Sequence, residues 1–128
     1  MNNKKINIFV GYDSKEDIAY RVCKHSINTN ADKKVKVMSL KQNELIAKKY
    51  YTRSKDPLAS TEFTYTRFLV PAIMQYKGWA IFCDCDFIFF KNVLEILDNI
   101  DPSKALYCVQ HDYTPKEKHK MDGQKQTI

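Results

Sequence analysis

The chain has 128 residues, 44% of them apolar and 28% charged, with 21 basic against 15 acidic side chains and a net charge of +6. That length suits one domain with a real core, the balance of apolar and charged residues excludes disorder, and no stretch approaches the roughly 18 apolar residues a membrane helix needs. The basic excess is spread along the chain without interleaved base-stacking aromatics or a recognition-helix pattern, so no nucleic-acid partner is expected.

Residues 5–11 open with an apolar run, Ile6, Ile8, Phe9 and Val10, that predicts a first buried strand ending at Gly11-Tyr12-Asp13. No signal-peptide core precedes it, and a cytoplasmic protein is expected. Ser14 is placed to cap a helix, with Asp17 as the capping-box acid and Ile18, Val22, Cys23 and Ile27 as its apolar stripe. Strand, glycine-containing turn and helix make half of a βαβ unit, and ligands of open α/β sheets lie just outside such strand ends. Gly11 to Asp13 is therefore either a nucleotide contact or a plain turn.

A second strand is expected over 34–40 and a helix over 41–51, followed by a polar, basic loop that holds Pro57. From Thr61 to Tyr76 the helical period is clear, with Tyr65, Phe68, Leu69, Ala72, Ile73 and Tyr76 on one stripe. Pro71 lies within it and has no N–H for the carbonyl of Arg67, so the helix is expected to kink or restart there. Arg67 lies off the stripe, and Lys77-Gly78 turns the chain directly toward the next strand, so Arg67 is placed to reach an anion at that strand's end.

That strand, predicted over 79–84, belongs to the apolar run Ala80 to Phe90, AIFCDCDFIFF, which carries two carboxylates one residue apart. Alternation puts Asp84 and Asp86 on one face and Cys83 and Cys85 on the other. Two adjacent carboxylates repel unless a cation or a shared proton neutralises them. A divalent ion such as Mg²⁺ or Mn²⁺, held by one or two protein oxygens and completed by water and substrate phosphate, answers that repulsion. The four cysteines, Cys23, Cys83, Cys85 and Cys108, lack Cys-x-x-Cys spacing and read as buried free thiols. A short helix or compact turn is expected over 91–100 and a further strand over 105–110. His111-Asp112 follows it as a candidate for metal ligation or acid-base work, with a solvated loop histidine as the plainer reading.

Three features in order, Gly11-Tyr12-Asp13 after a first strand, Tyr65-x-Arg67 on a helix, and Asp84-Cys85-Asp86 in the next strand, resemble the donor-binding half of GT-A glycosyltransferases. The likeness is greatest to the bacterial and glycogenin-like enzymes that retain anomeric configuration, and it covers roughly residues 5–113. It implies a three-layer α/β/α sandwich with a mostly parallel sheet, a single domain over 1–128, and transfer of a hexosyl group from a nucleotide-diphosphate sugar, such as a UDP-sugar, to a saccharide or other hydroxyl acceptor. It further implies that Gly11, Tyr12 and Asp13 lie near base and ribose, that Asp84 and Asp86 hold Mn²⁺ or Mg²⁺ on the diphosphate, with Cys85 between them, and that Tyr65 and Arg67 belong to the donor site. Enzymes of this type continue for about another hundred residues, so the domain is expected to be incomplete at its C-terminus, with an uncovered apolar face through which it self-associates. Two alternatives stay open: a non-catalytic nucleotide-sugar-binding remnant, and a phosphatase of the haloacid-dehalogenase type, whose strand also ends in Asp-x-Asp.

Overall fold

The computed structural model describes residues 5–32, 34–119, 123 and 125. The chain, read from sequence as one domain, divides into two compact units, residues 1–95 and 96–128.

The first unit is built on a parallel three-stranded sheet of order β2-β1-β3, from β1 (Ile6–Gly11), β2 (Val35–Leu40) and β3 (Ala80–Cys83). The central strand β1 has neighbours on both sides, and its Ile8, Phe9 and Val10 are all buried, as expected where a parallel strand is covered on both faces. In register, Ile8 stands opposite Val37 and Ile81, and Phe9 opposite Met38 and Phe82. Ile8, Val10 and Cys83 pack with Cys23 and Ile27 of helix α1 (Asp17–Asn30). The opposite face, Phe9 and Leu40, packs with Leu45 of α2 (Gln42–Ala47) and with Leu69, Val70 and Ile73, the last two in α3 (Val70–Ile73). The coarse α/β class expected from sequence is therefore present, with apolar packing on both sheet faces. Each fully buried Ile or Val in it contributes about 1.5–3 kcal/mol.

Apart from shifted element ends, such as α2 stopping at Ala47 where the sequence predicts a helix over 41–51, local details depart from the sequence reading in four places. Ser14 does not cap α1: Asp13 accepts a hydrogen bond from the Lys15 N–H and caps a 3-10 turn, Ser14–Glu16, and α1 follows with Glu16 at its N-cap and no side-chain cap bond. Along α1 the buried positions are Cys23, Ser26 and Ile27, while Ile18 and Val22 are exposed, so the stripe is rotated from the one expected. The predicted helix over 61–76 is a 3-10 segment, Thr66–Leu69, followed by α3, with Pro71 in the first turn of the restart, where its missing N–H costs nothing. A 3-10 turn advances about 120° per residue rather than about 100°. The expected stripe is thereby broken, and Phe68 and Tyr76 stand 74% and 81% exposed. Gly78 has φ 73°, the left-handed conformation that lets the chain swing from α3 into β3.

The fourth departure lies in the second unit, where residues 105–110 form no strand and are exposed. A strand needs a partner row of backbone groups. Here the Asp101 N–H instead donates to the Tyr107 hydroxyl at 2.7 Å, and the Asp101 carboxylate accepts from the Ser103 N–H at 2.9 Å, a local turn. The bonds from Ser103 hold the Asp101 carboxyl below its ordinary range. Among the described residues no helix is long and apolar enough to cross a membrane. At the sheet's two margins, β2 and its lead-in carry exposed Lys34 and Lys36, whereas β3 carries no charge and is followed by exposed Phe87, Ile88 and Phe90.

Candidate functional site

Because the three strands are parallel, Gly11, Leu40 and Cys83 end them at one edge of the sheet. The strand succession reverses at β1, stepping to β2 on one side and later to β3 on the other. In open parallel sheets ligands lie outside the carboxyl ends at such a reversal. The Gly11-Tyr12-Asp13 turn and the Asp84-Cys85-Asp86 turn flank it.

β3 stops at Cys83, one residue short of the expected end, so both acids sit in the turn that follows. Arg67 Nη1 lies 3.5 Å from Asp84 Oδ1, with the two side chains 33% and 39% exposed. The guanidinium is steered there by three contacts: its Nε–H donates to the Phe63 carbonyl at 3.2 Å, and its centre lies 5.3 Å and 5.4 Å from the rings of Phe63 and Phe82. Burial pushes the Asp84 carboxyl above its ordinary range; Arg67 opposes that rise, and the negative charges of Asp86 and Glu16 add to it. Asp86 is exposed.

Cys85 turns inward with Cys83, on the side that packs against α1. Its thiol donates to Glu16 Oε2 at 3.3 Å, and burial together with that bond pushes it up to about 12. Cys83 faces Cys23 at 3.9 Å between sulfurs, and the contact and burial raise Cys83 as well. Neither thiol is poised as a nucleophile. The chain beyond the turn is tied to the later turns of α1: the Phe89 N–H donates to Ser26 Oγ at 3.0 Å, and Asn30 Nδ2 donates to the Phe89 carbonyl at 2.8 Å.

On the β1 side, the space that a Cβ on Gly11 would take is filled by the Phe63 ring, whose Cγ and Cδ2 would lie 2.7 Å from it. A protein ring, then, accounts for this glycine. Asp13 is buried with both oxygens engaged, one by the Lys15 N–H at 2.9 Å and the other by the Glu62 N–H at 3.2 Å. Tyr12 is half-buried. Its hydroxyl donates to Asp17 at 2.8 Å, which raises its pKa, its ring meets Tyr20 edge-on at 5.4 Å, and Lys41 Nζ lies 4.9 Å from the ring centre. Tyr65 is held elsewhere: its hydroxyl donates to Asp56, and the Arg53 guanidinium stacks 3.9 Å from its ring centre. His111 and Asp112 belong to the second unit and are exposed.

The structure thus brings Arg67 and Asp84 together directly and sets Asp86 and Cys85 beside them. Glu16, Glu62 and Lys41 join the same strand ends, and no sequence motif singled them out. Among the described residues no group of three or more His, Cys, Asp or Glu side chains is arranged to hold a metal ion. The hard oxygen donors at this edge are the carboxylates of Asp84, its pKa raised first by burial and then by neighbouring negative charge, and of Asp86, the donor type that Mg²⁺ and Mn²⁺ take.

No family model and no solved structure matches the chain. It is 49% identical over 125 residues to Protein CDI of Arabidopsis thaliana, a match that takes in 98% of this chain and 48% of that protein. The chain spans about half the length of the curated relative it matches.

Proposed function

We propose that the chain is the donor-binding part of a metal-dependent glycosyltransferase of GT-A type that takes a nucleotide-diphosphate sugar, with a UDP-sugar as the first candidate. The observation that carries this reading is the Arg67–Asp84 pair beside Asp86, at the carboxyl edge of a parallel sheet where the strand order reverses. Asp84 and Asp86 would hold the cation, which when bound neutralises charge on the departing diphosphate. Arg67 supplies a fixed positive charge at the same edge, and its Nε–H bond and flanking rings orient it before any ligand arrives. Tyr12, with one face toward Lys41 and its hydroxyl tied to Asp17, offers an aromatic wall on the β1 side. The sugar passes to a hydroxyl of a saccharide or another alcohol, whose oxygen bonds the anomeric carbon as the bond to the diphosphate breaks and the nucleotide diphosphate leaves.

The test is calorimetric titration with UDP, with and without Mn²⁺, on the native chain and on the double variant Asp84→Ala, Asp86→Ala. Binding should require Mn²⁺ and fall at least about tenfold in the double variant, since two carboxylates are few to begin with. Unchanged binding in that variant would remove the assignment. Phosphate release from a monoester, abolished by Asp84→Ala, would instead favour the phosphatase reading.

A further inference from the structure

Glu62 sits where three pieces of the first unit meet. Its Oε2 accepts the Ser14 N–H at 3.0 Å and its Oε1 accepts the Ser14 hydroxyl at 2.6 Å. Its own N–H donates to Asp13 Oδ2 at 3.2 Å, and its carbonyl accepts from Gln42 Nε2 at 3.4 Å. One residue thereby ties the turn after β1 to the start of α2, the helix that follows β2. The next residue continues the tie: the Phe63 ring fills the space over Gly11, and the Phe63 carbonyl receives the Arg67 Nε–H at 3.2 Å. Arg67 then reaches Asp84 beyond β3. Residues 62–67 form a strap across the carboxyl edge, from β1 to β3.

We propose that Glu62 is the positioning residue of this site, and that by clamping the Asp13-Ser14 turn it sets where the Phe63 carbonyl and hence the Arg67 guanidinium stand. The proposal rests on the donor-site reading for its consequence in binding, though not for the strap itself. A carboxylate suits this place for a definite reason. Two donors of the same residue, an N–H and an O–H, point at its two oxygens, so both oxygens must accept. An amide keeps one acceptor for the Ser14 N–H and can meet the hydroxyl only by reversing that bond, and it carries no charge to strengthen either contact. Hydrogen bonds to a charged group are also among the stronger ones. Asp13 cannot replace it, because both Asp13 oxygens are already taken by backbone N–H groups.

The experiment compares the native chain with Glu62→Gln, Glu62→Asp and Arg67→Ala in two measurements. In the first, without ligand, hydrogen exchange of the Ser14 amide and of the Arg67 Nε–H is followed by NMR. Glu62→Gln should speed both together by roughly tenfold or more, the equivalent of one lost charge-assisted bond, although the two groups lie on different elements. Exchange at the β1 amides should stay slow, which shows that the fold survives. In the second, UDP affinity with Mn²⁺ should fall roughly tenfold in Glu62→Gln and should fall no further when Glu62→Gln is added to Arg67→Ala. Glu62→Asp, which keeps two acceptors on a shorter stem, should recover part of both effects. Ser14 exchange that changes while Arg67 exchange does not would overturn the proposal, as would a binding loss that adds in full to that of Arg67→Ala. If the native chain binds no UDP but the two exchange rates move together, the strap stands and the donor-site reading falls.

Discussion

Replacing Gly11 by alanine should destabilise the protein through a single contact. Gly11 closes the central strand, its backbone is not in the left-handed region, and in a strand alanine is by itself favoured over glycine by about 0.5–1 kcal/mol. Against that gain, the new methyl carbon would stand 2.7 Å from two atoms of the Phe63 ring and 3.1 Å from a third. Carbon contacts relax at about 3.5–4.0 Å, so the ring would have to retreat by roughly 1 Å. Phe63 is buried and belongs to the same core cluster as Ile8, Val10 and Cys85, so the retreat pushes on a filled core, at about 1–3 kcal/mol. The net loss should be about 1–2 kcal/mol, a large share of a small domain's stability. Urea unfolding followed by far-UV circular dichroism reads it directly, as a lowered midpoint with an unchanged slope. Phe63→Leu should cost stability in the native background and recover it in Gly11→Ala, because a smaller side chain makes room for the methyl. A Gly11→Ala protein as stable as the native one, or one whose loss is the same with leucine at position 63, would refute the account of this glycine as a seat for the ring.

Two further outcomes follow, one from the charge of the acidic turn and one from the burial of the thiols. The Asp84 carboxyl has its folded pKa raised, so the native state holds its proton more tightly than the unfolded chain does. Stability from this group is present below the unfolded value of about 3.9 and is lost as pH rises through the folded one. Asp84→Asn should therefore be more stable than the native protein near neutral pH and lose that advantage when both are compared below about pH 4, as urea midpoints at the two pH values will show. Of the four thiols, Cys23, Cys83 and Cys85 are buried and Cys108 is exposed. At pH 8 under native conditions one cysteine should react quickly with a thiol reagent and three only on unfolding; mass spectrometry of the alkylated chain counts them.

Much of the first unit was legible because burial on both faces of a parallel sheet leaves continuous apolar runs. The run at Ile6 to Val10 and the one at Ala80 to Cys83 could hardly be anything else. The segment 61–76 shows the limit of periodicity: its apolar spacing is helical, but Pro71 removes one hydrogen bond and the preceding turn tightens to 3-10, which turns Phe68 out to solvent. Residues 105–110 show another, since strand-like composition needs a strand beside it. The proximity of Arg67 to Asp84 was readable from the short path between α3 and β3. Glu62 and Glu16 were not, because a lone glutamate in a polar stretch looks like any surface charge until Ser14 and Cys85 are found against it.

The order β2-β1-β3 also bears on how the molecule comes into being. β1 meets β2 after one intervening helix, so a compact β1-α1-β2 unit can close as soon as residue 40 is available. β3 pairs with that same β1 from far later in the chain, and closing so long a loop is slower than forming the local crossover. During synthesis the side of β1 that will receive β3 therefore stays open until residue 83 has emerged, with Ile8, Phe9 and Val10 shielded on one flank only. The acidic turn arrives last, carried in by the very strand that completes the sheet. A chain halted before residue 80 would present an apolar seam and no carboxylate pair, and it is in that interval that chaperone capture has most to offer.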